Sequence, residues 1–321
     1  MRAIRPSHTG GPEVLEVQDV PTPSPGPSEA LVRVEAAGVN YIDVYHRTGL
    51  YSLPLPLPMG LAGAGTVDRL GDGVRDLRVG QRVAWASVPG SYATHVVAPA
   101  DKLVPVPDGV PSDVAAGLLL QGMTAHYLTQ TIVPLRAGLV VLLHAAAGGV
   151  GLLLVQLAKR VGARVIGTVS TAAKAALAKA AGADYVINYA ATDFVAEVKR
   201  LTGGRGVDVV YDSVGQATFD GSLESLAPRG HLVLFGQSSG VVPPFDLARL
   251  ARGSYFLTRP SLGHYTATRS ELLGRARHLF DLVTAGQLHV RIDRTFPLAQ
   301  AAEAHRALTG RATTGKVLLV P

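Results

Sequence analysis

Leu139-Val-Val-Leu-Leu-His144-Ala-Ala-Ala-Gly148-Gly149-Val150-Gly151-Leu-Leu-Leu-Val155-Gln156-Leu-Ala-Lys159-Arg160-Val-Gly162 decides how the rest of the chain is read. A β-rich apolar run meets a glycine turn, and apolar residues then continue at helical spacing. Gly148 lets backbone approach a pyrophosphate, and Gly151 lets the following helix pack closely on the strand. The first-turn N–H groups of that helix then face the phosphates, assisted by the helix dipole. The turn spanning Ala147, Gly148, Gly149, Val150 and Gly151 is therefore expected to hold a dinucleotide. The usual G-x-G-x-x-G would begin at position 146, where this chain has Ala146, so context has to carry the assignment. Leu139–Ala158 also lacks charge over a length able to span a bilayer. The paired glycines, the histidine and the change of period instead predict a buried strand followed by a buried helix.

Strand-like runs recur downstream at βαβ intervals: Arg164–Val169, Asp184–Asn188, Val207–Tyr211, His231–Phe235 and Ser254–Thr258. Helical stretches such as Ala172–Ala181 and Thr192–Leu201 separate them. Six parallel strands in this rhythm make a complete doubly wound α/β domain. Residues 1–120 are β-rich and glycine-punctuated, with Val14–Val17, Ala30–Glu35, Ala64–Leu70, Gln81–Trp85 and Ser91–Val97 as strands of a small antiparallel barrel-like domain. Pro21–Pro27 and Pro54–Pro58 are loops. Helix is expected over 112–132, capped at Ser112-Asp113 and ending before Pro134. After Arg259-Pro260 come a helix, a strand at Arg291–Phe296, a helix over Leu298–Leu308 and a strand at Lys316–Val320, a tail suited to completing the first domain.

The 321 residues favour two domains, and 47% apolar content supports large cores. With no cysteine, disulfides, thiolate catalysis and cysteine-ligated metal centres are excluded. The N-terminal residues enter strand-like sequence without an apolar signal region, so the cytoplasm is the expected compartment and no membrane partner is expected. A net charge of +6 raises the question of nucleic acid, but the 30 basic residues are scattered and no basic arm or aromatic platform accompanies them. A modest positive field equally suits an anionic cofactor.

The residue that separates NAD from NADP lies about twenty positions after the glycine turn. Here the chain reads Gly167-Thr-Val-Ser170-Thr171-Ala-Ala-Lys174, with no carboxylate to hold a 2′-hydroxyl. Ser170 can hydrogen-bond a phosphate and Lys174 can supply charge, so NADPH is the expected cofactor.

The domain order, together with His144–Gly151, Gln156, Lys159, Val210-Tyr-Asp-Ser-Val-Gly215, Phe235-Gly-Gln-Ser-Ser239 and Thr258-Arg-Pro-Ser261, resembles the zinc-independent NADPH:quinone oxidoreductases. These form the ζ-crystallin-like branch of the medium-chain dehydrogenase/reductase superfamily. The similarity runs from Gly38–Tyr45 to Arg311–Gly315. It implies a GroES-like catalytic domain over 1–121 and 262–321 and a Rossmann NADP(H) domain over 122–261. Where the superfamily's zinc enzymes carry a cysteine and a Gly-His-Glu segment, this chain has Asn40 and Gly60-Leu61-Ala62, so no catalytic zinc is expected. That favours acceptors electrophilic enough to take hydride unaided, quinones first and 2-alkenals or enones as the alternative. A nucleotide- or RNA-binding protein without activity is the other reading to test.

The resemblance further implies contacts to the nicotinamide half from Asn40 and Tyr45, with Thr124 and Ser213 nearby, Phe235, Gly236 and Ser238 along one turn, and Phe256 to Thr258 at the carboxamide. Tyr189 and Arg311 are implied at the adenosine phosphate. Asp43 and Arg259 match polar members of the family's site. Asn40, Asp43, Tyr45 and Arg259 are therefore the catalytic candidates, with Asn40, Tyr45 and Arg259 able to stabilise charge building on a quinone oxygen. Tyr41, Tyr45 and Tyr51 would border a cleft between the domains, and a homodimer is the implied assembly.

Overall fold

The computed structural model describes residues 1–321, which divide into two compact units, Met1–Met123 with Thr266–Pro321, and Thr124–Tyr265.

In the second unit, six strands pair in the order Tyr185–Asn188, Arg164–Val169, Val140–Leu143, Val207–Asp212, Leu226–Leu234, Phe256–Thr258. Every pairing is parallel, and numbered along the chain the order is 3-2-1-4-5-6, the doubly wound arrangement expected. Strands buried on both faces need continuous apolar sequence, which Val141, Leu142, Leu143, Val209 and Val210 supply. Leu142, Ile166, Val198, Val207, Phe219 and Leu232 belong to one core. The order reverses between Val140–Leu143 and Val207–Asp212, so the segments leaving these neighbours at their carboxyl ends diverge and open the crevice that such sheets use for ligands. The charge-free run from Leu139 becomes strand, turn and the helix Gly149–Arg160, and no helix in the chain is long and apolar enough to cross a membrane.

The first unit is built on a sheet whose central strand, Glu29–Val39, pairs antiparallel with Ala62–Leu70, His95–Pro99 and the final strand Lys316–Val320. The tail does complete this unit: Lys316–Val320 lies parallel to Ile292–Pro297 and sets Val317 opposite Val39. Trp85, Tyr92, Met59, Leu103 and Leu319 lie in its core. Val14–Val17, expected as strand, is instead a short 3-10 turn at Pro12–Val14 followed by a strand at Val17–Asp19. Pro12 supplies the reason, because its fixed φ suits the first position of a helical turn.

The chain leaves Val39 through Asn40, which is extended (φ −133°, ψ 159°) and caps the helix Tyr41–Thr48. Gly49, in the left-handed region at φ 80°, ends it. This helix sits within a region whose composition reads as β, since Tyr41, Ile42, Val44 and Tyr45 are all strand formers.

Candidate functional site

In the second unit the glycine turn has the form of an anion cradle. Gly148 caps Gly149–Arg160, no side chain caps that helix start, and its first turn carries no acid. Leu152 N–H is the first to bond back into the helix, to Gly148 O at 2.9 Å. The N–H groups of Gly149, Val150 and Gly151 are thus the orphan donors of the helix start, aligned with the positive end of its dipole. A Cβ on Gly151 would overlap the Ala145 carbonyl oxygen and stand 2.9 Å from two backbone atoms of Ala146, so glycine is what brings the helix this close. Ala145 takes a left-handed φ of 53° to make the turn, and Ala147 is buried beneath it.

A buried hydrogen-bond network ties this turn to its neighbours. Asp212 Oδ1 accepts from Val214 N at 2.7 Å and Gly215 N at 3.0 Å, while Oδ2 accepts from the hydroxyls of Thr218 at 2.7 Å and Ser222 at 2.8 Å. Ser222 has spent its only proton on Asp212, so at 3.0 Å it accepts from His144 Nε2–H. His144 Nδ1, 2.9 Å away, then accepts from the Thr168 hydroxyl. Burial pushes His144 below its ordinary range, opposed by the Asp212 charge, which keeps this neutral tautomer. His144 therefore joins the carboxyl ends of three strands. No local pattern marks Thr168 and Ser222 as its partners, or Asp212 as the carboxylate behind Ser222.

Ser213, Phe235, Gly236 and Ser238 come together: Ser238 N donates to Ser213 O at 3.2 Å, and a Cβ on Gly236 would stand 2.7 Å from that oxygen. Arg259 reaches the same turn, donating to Leu234 O at 3.3 Å and Gln237 Oε1 at 2.8 Å. Gln237 is buried and was not singled out from sequence. Ser170 follows the strand Arg164–Val169, and Lys174 is in the first turn of the helix Ala172–Ala180, whose cap Thr171 accepts from Lys174 N at 3.2 Å. Tyr189 N bonds Val169 O at 3.0 Å, so Tyr189 and Ser170 leave adjacent strand ends. Thr124 is buried, and Thr258 closes the edge strand. Phe256 opens that strand 55% exposed, its ring stacked on His231 at 4.5 Å.

The first unit holds Asn40, Asp43 and Tyr45 on one helix start, beside groups the sequence did not single out. Asn40 N donates to Asp43 Oδ2 at 2.8 Å, and Tyr92 Oη donates to the same oxygen at 3.0 Å. Tyr92 Oη lies 3.0 Å from His305 Nε2, and Arg47 donates to His305 Nδ1 at 3.3 Å, which leaves the His305 proton on Nε2. Lys316 Nζ donates to Asn40 Oδ1 at 2.6 Å and Val39 O at 3.1 Å. Asp43, Arg47, His305 and Lys316 are all buried. Burial raises the Asp43 carboxyl and lowers the Lys316 ammonium, each shift opposed by the partner's charge. Burial also raises the Tyr92 phenol, aided by the Asp43 charge. Partners 213 to 277 residues apart in sequence leave no local pattern to read. Tyr45 packs against Tyr41 (centroids 5.8 Å) and Tyr51 (5.2 Å). Burial raises the Tyr41 phenol, and Arg311, left-handed at φ 57°, acts against that rise.

Burial, with the Arg47 charge added, pushes His305 down from 6.5 to about 3. The unfolded chain protonates near the ordinary value and the folded chain only near the lower one. Stability from this group is therefore complete above about pH 6.5 and falls on acidification by about 1.4 kcal/mol per pH unit. His305→Gln should make the loss of urea resistance between about pH 6.5 and pH 5 shallower by roughly one proton; an unchanged slope in equilibrium unfolding would show that His305 is not held neutral.

Residues 149–273 match the family described as zinc-binding dehydrogenase, and residues 26–108 the alcohol dehydrogenase GroES-like domain. The chain is 46% identical to a quinone oxidoreductase of Pseudomonas aeruginosa over 97% of each chain. It is 44% identical to a 2-haloacrylate reductase of a Burkholderia species, over 97% of this chain and 96% of the other. Among solved structures, Escherichia coli quinone oxidoreductase complexed with NADPH superimposes with a TM-score of 0.97 at 42% identity, covering all of both chains.

Proposed function

Since this chain belongs to the quinone oxidoreductase branch of the medium-chain dehydrogenase/reductase superfamily, we propose that it reduces quinones with NADPH, hydride passing directly to the acceptor. The observation that carries this reading is the uncapped helix start at Gly148–Gly151, with its three orphan N–H donors at the switch point of a parallel sheet. A pyrophosphate suits that geometry. Ser170 and Lys174, with no carboxylate between Arg164 and Lys174, suit a 2′-phosphate, and Tyr189 leaves the neighbouring strand end to flank it. Arg311 is assigned to the same phosphate. When bound, the cofactor supplies a hydride from its nicotinamide ring.

In this reading the turns at Ser213 and Phe235–Ser238, with Thr124 and Thr258, orient the nicotinamide half, while Phe256, its ring stacked on His231, belongs to the edge of the sheet. Asn40 and Tyr45 donate to the oxygen on which charge builds, and Arg259, held by Leu234 O and Gln237, adds positive charge. Asp43 holds the Asn40 main chain in place through Oδ2. A zinc ion does not fit: there is no cysteine, no group of three or more His, Asp or Glu side chains is placed to hold a metal, and the Asn40 oxygen already faces an ammonium. The reading therefore contains no metal-assisted step.

The same reading has the enzyme working in the cytoplasm as a homodimer. The edge strand Phe256–Thr258, with Phe256, Leu247 and Val241 exposed, is the seam we assign, and a monomer mass in sedimentation would remove it. The relative named 2-haloacrylate reductase supports a second reading, reduction of an activated carbon–carbon double bond. EDTA-treated protein assayed with NADPH should give its highest kcat/KM on 1,4-benzoquinone or 9,10-phenanthrenequinone and a lower one on a 2-alkenal. Preference for the alkenal would select the second reading. Loss of activity to EDTA would contradict the metal-free mechanism, and NADPH binding without turnover on any acceptor would point to a non-catalytic protein.

A further inference from the structure

We propose that Lys316 is a positioning residue: it locks the Asn40 carboxamide so that Asn40 can offer only an N–H, never its oxygen, to a bound carbonyl or oxyanion. This rests on the reading that Asn40 serves the reduction.

The lock is visible in the donors and acceptors. Lys316 Nζ, which can only donate, lies 2.6 Å from Asn40 Oδ1 and 3.1 Å from Val39 O. On the other side of the amide, Asn40 Nδ2 donates to Gly38 O at 2.8 Å. Turning the amide over would set donor against donor at Lys316 and acceptor against acceptor at Gly38, so two hydrogen bonds would be lost in a site where Asn40 is only 4% exposed. The second N–H of Nδ2 is on the side of the Asp43 carboxyl, which it helps to hold down, and it is the group that Asn40 can share with a bound carbonyl.

The fold goes to some length to bring the ammonium there. Pairing of Val317 with Val39 fixes Lys316 at the level of Asn40. Gly38 clears a lane for its stem: a Cβ there would stand 2.7 Å from Lys316 Nζ and 2.8 Å from Cε. The lysine ends 1% exposed, where an ammonium is costly to bury. Asp43 offsets part of that cost through its charge, and Asp43 is itself bonded to Asn40 N and Tyr92. Stability alone would be served as well by replacing Lys316 and Asp43 together with apolar side chains, whereas removing the lysine alone leaves Asp43 buried without its counter-charge.

A purely structural lysine, pinning the last strand through Val39 O, predicts different behaviour. Lys316→Met fills the lane without a donor. It should lower kcat on the order of 10-fold, the worth of about one lost hydrogen bond, and leave KM for NADPH nearly unchanged. Asn40→Ala should lose on the order of 100-fold as a donor to the transition state. The double variant should be no worse than Asn40→Ala alone, because Lys316 acts through Asn40. Wild-type kcat in Lys316→Met, or additive losses in the double variant, would overturn the proposal.

Asn40→Asp tests it even if Lys316→Met fails to fold. A carboxylate there still accepts from Lys316 and so keeps its contact to the last strand, but it has no N–H to give to Gly38 O or to substrate, so kcat should fall at least as far as in Asn40→Ala in protein that remains folded by circular dichroism. Retained activity in Asn40→Asp would show that Asn40 works through its oxygen, and would sink the inference. Wild-type protein that turns over no quinone would defeat the functional reading instead. Solvent exchange of the Asn40 side-chain NH2 protons, followed by NMR without substrate, then decides the lock itself: slow exchange in wild type and fast exchange in Lys316→Met is expected, and equal rates would overturn it.

Discussion

Gly151→Ala should weaken NADPH binding by on the order of 100-fold, the penalty for misplacing a positioned group by about an ångström. The added methyl would meet the Ala145 carbonyl oxygen and the Cα and carbonyl carbon of Ala146, all backbone, so no neighbouring side chain can rotate out of its way. Ala145 already sits at φ 53°, leaving the turn little freedom to absorb a shift. The helix start must move instead, and with it the N–H groups that would hold the phosphates. Gly148→Ala separates two causes, because within the protein its Cβ would meet only Ala145 O, at 3.2 Å, so affinity lost there reports the close approach of the pyrophosphate to the backbone and not a displaced helix. Titration of nicotinamide fluorescence should show weakened binding in both variants, with the helix start perturbed only in Gly151→Ala. Equal, wild-type-like affinities would mean that this turn does not hold the cofactor.

Lys174→Ala should raise KM for NADPH by roughly 10- to 100-fold, the usual worth of a hydrogen bond to a charged group, and leave KM for NADH almost untouched. Lys174 stands one helical turn beyond Ser170, at the end of the strand after the glycine turn, where a dinucleotide fold distinguishes its cofactors. No carboxylate competes for that place, so losing the lysine removes attraction to a phosphate without exposing a site for a 2′-hydroxyl. Ser170→Ala should move KM in the same direction by less, since a neutral hydroxyl contributes less than an ammonium. Equal effects of Lys174→Ala on both cofactors would show that Lys174 does not read the phosphate.

The nucleotide-binding half was legible because its signals are local. Arg164–Val169 and Lys316–Val320 form as strands over the residues read from the sequence, and the alternation of apolar runs with helical stretches carries the sheet order. Less local features escaped. The helix Tyr41–Thr48 was hidden by its β-branched and aromatic content, although Asn40 before it and Gly49 after it were the available cap signals. Leu226–Leu234 begins five residues before His231, since Pro228 and Gly230 read as a break. The chain Lys316–Asn40–Asp43–Tyr92–His305–Arg47 could not be found from spacing, because tertiary pairing alone brings a C-terminal strand and a late helix to residues 40–47. Asn40 and Asp43 entered through family resemblance. The lysine that orients one of them was visible only once Val317 had been placed opposite Val39.

If NADPH held by the glycine turn gives its hydride to a quinone with no metal assisting, the bound cofactor alone must suffice for one turnover. Single-turnover mixing of EDTA-treated protein, preloaded with one equivalent of NADPH, against 1,4-benzoquinone tests this most directly. Stoichiometric oxidation of the bound NADPH is expected, slowed when the transferred hydrogen is deuterium. Protein that binds no NADPH, or bound NADPH that stays reduced until a metal is restored, would contradict it.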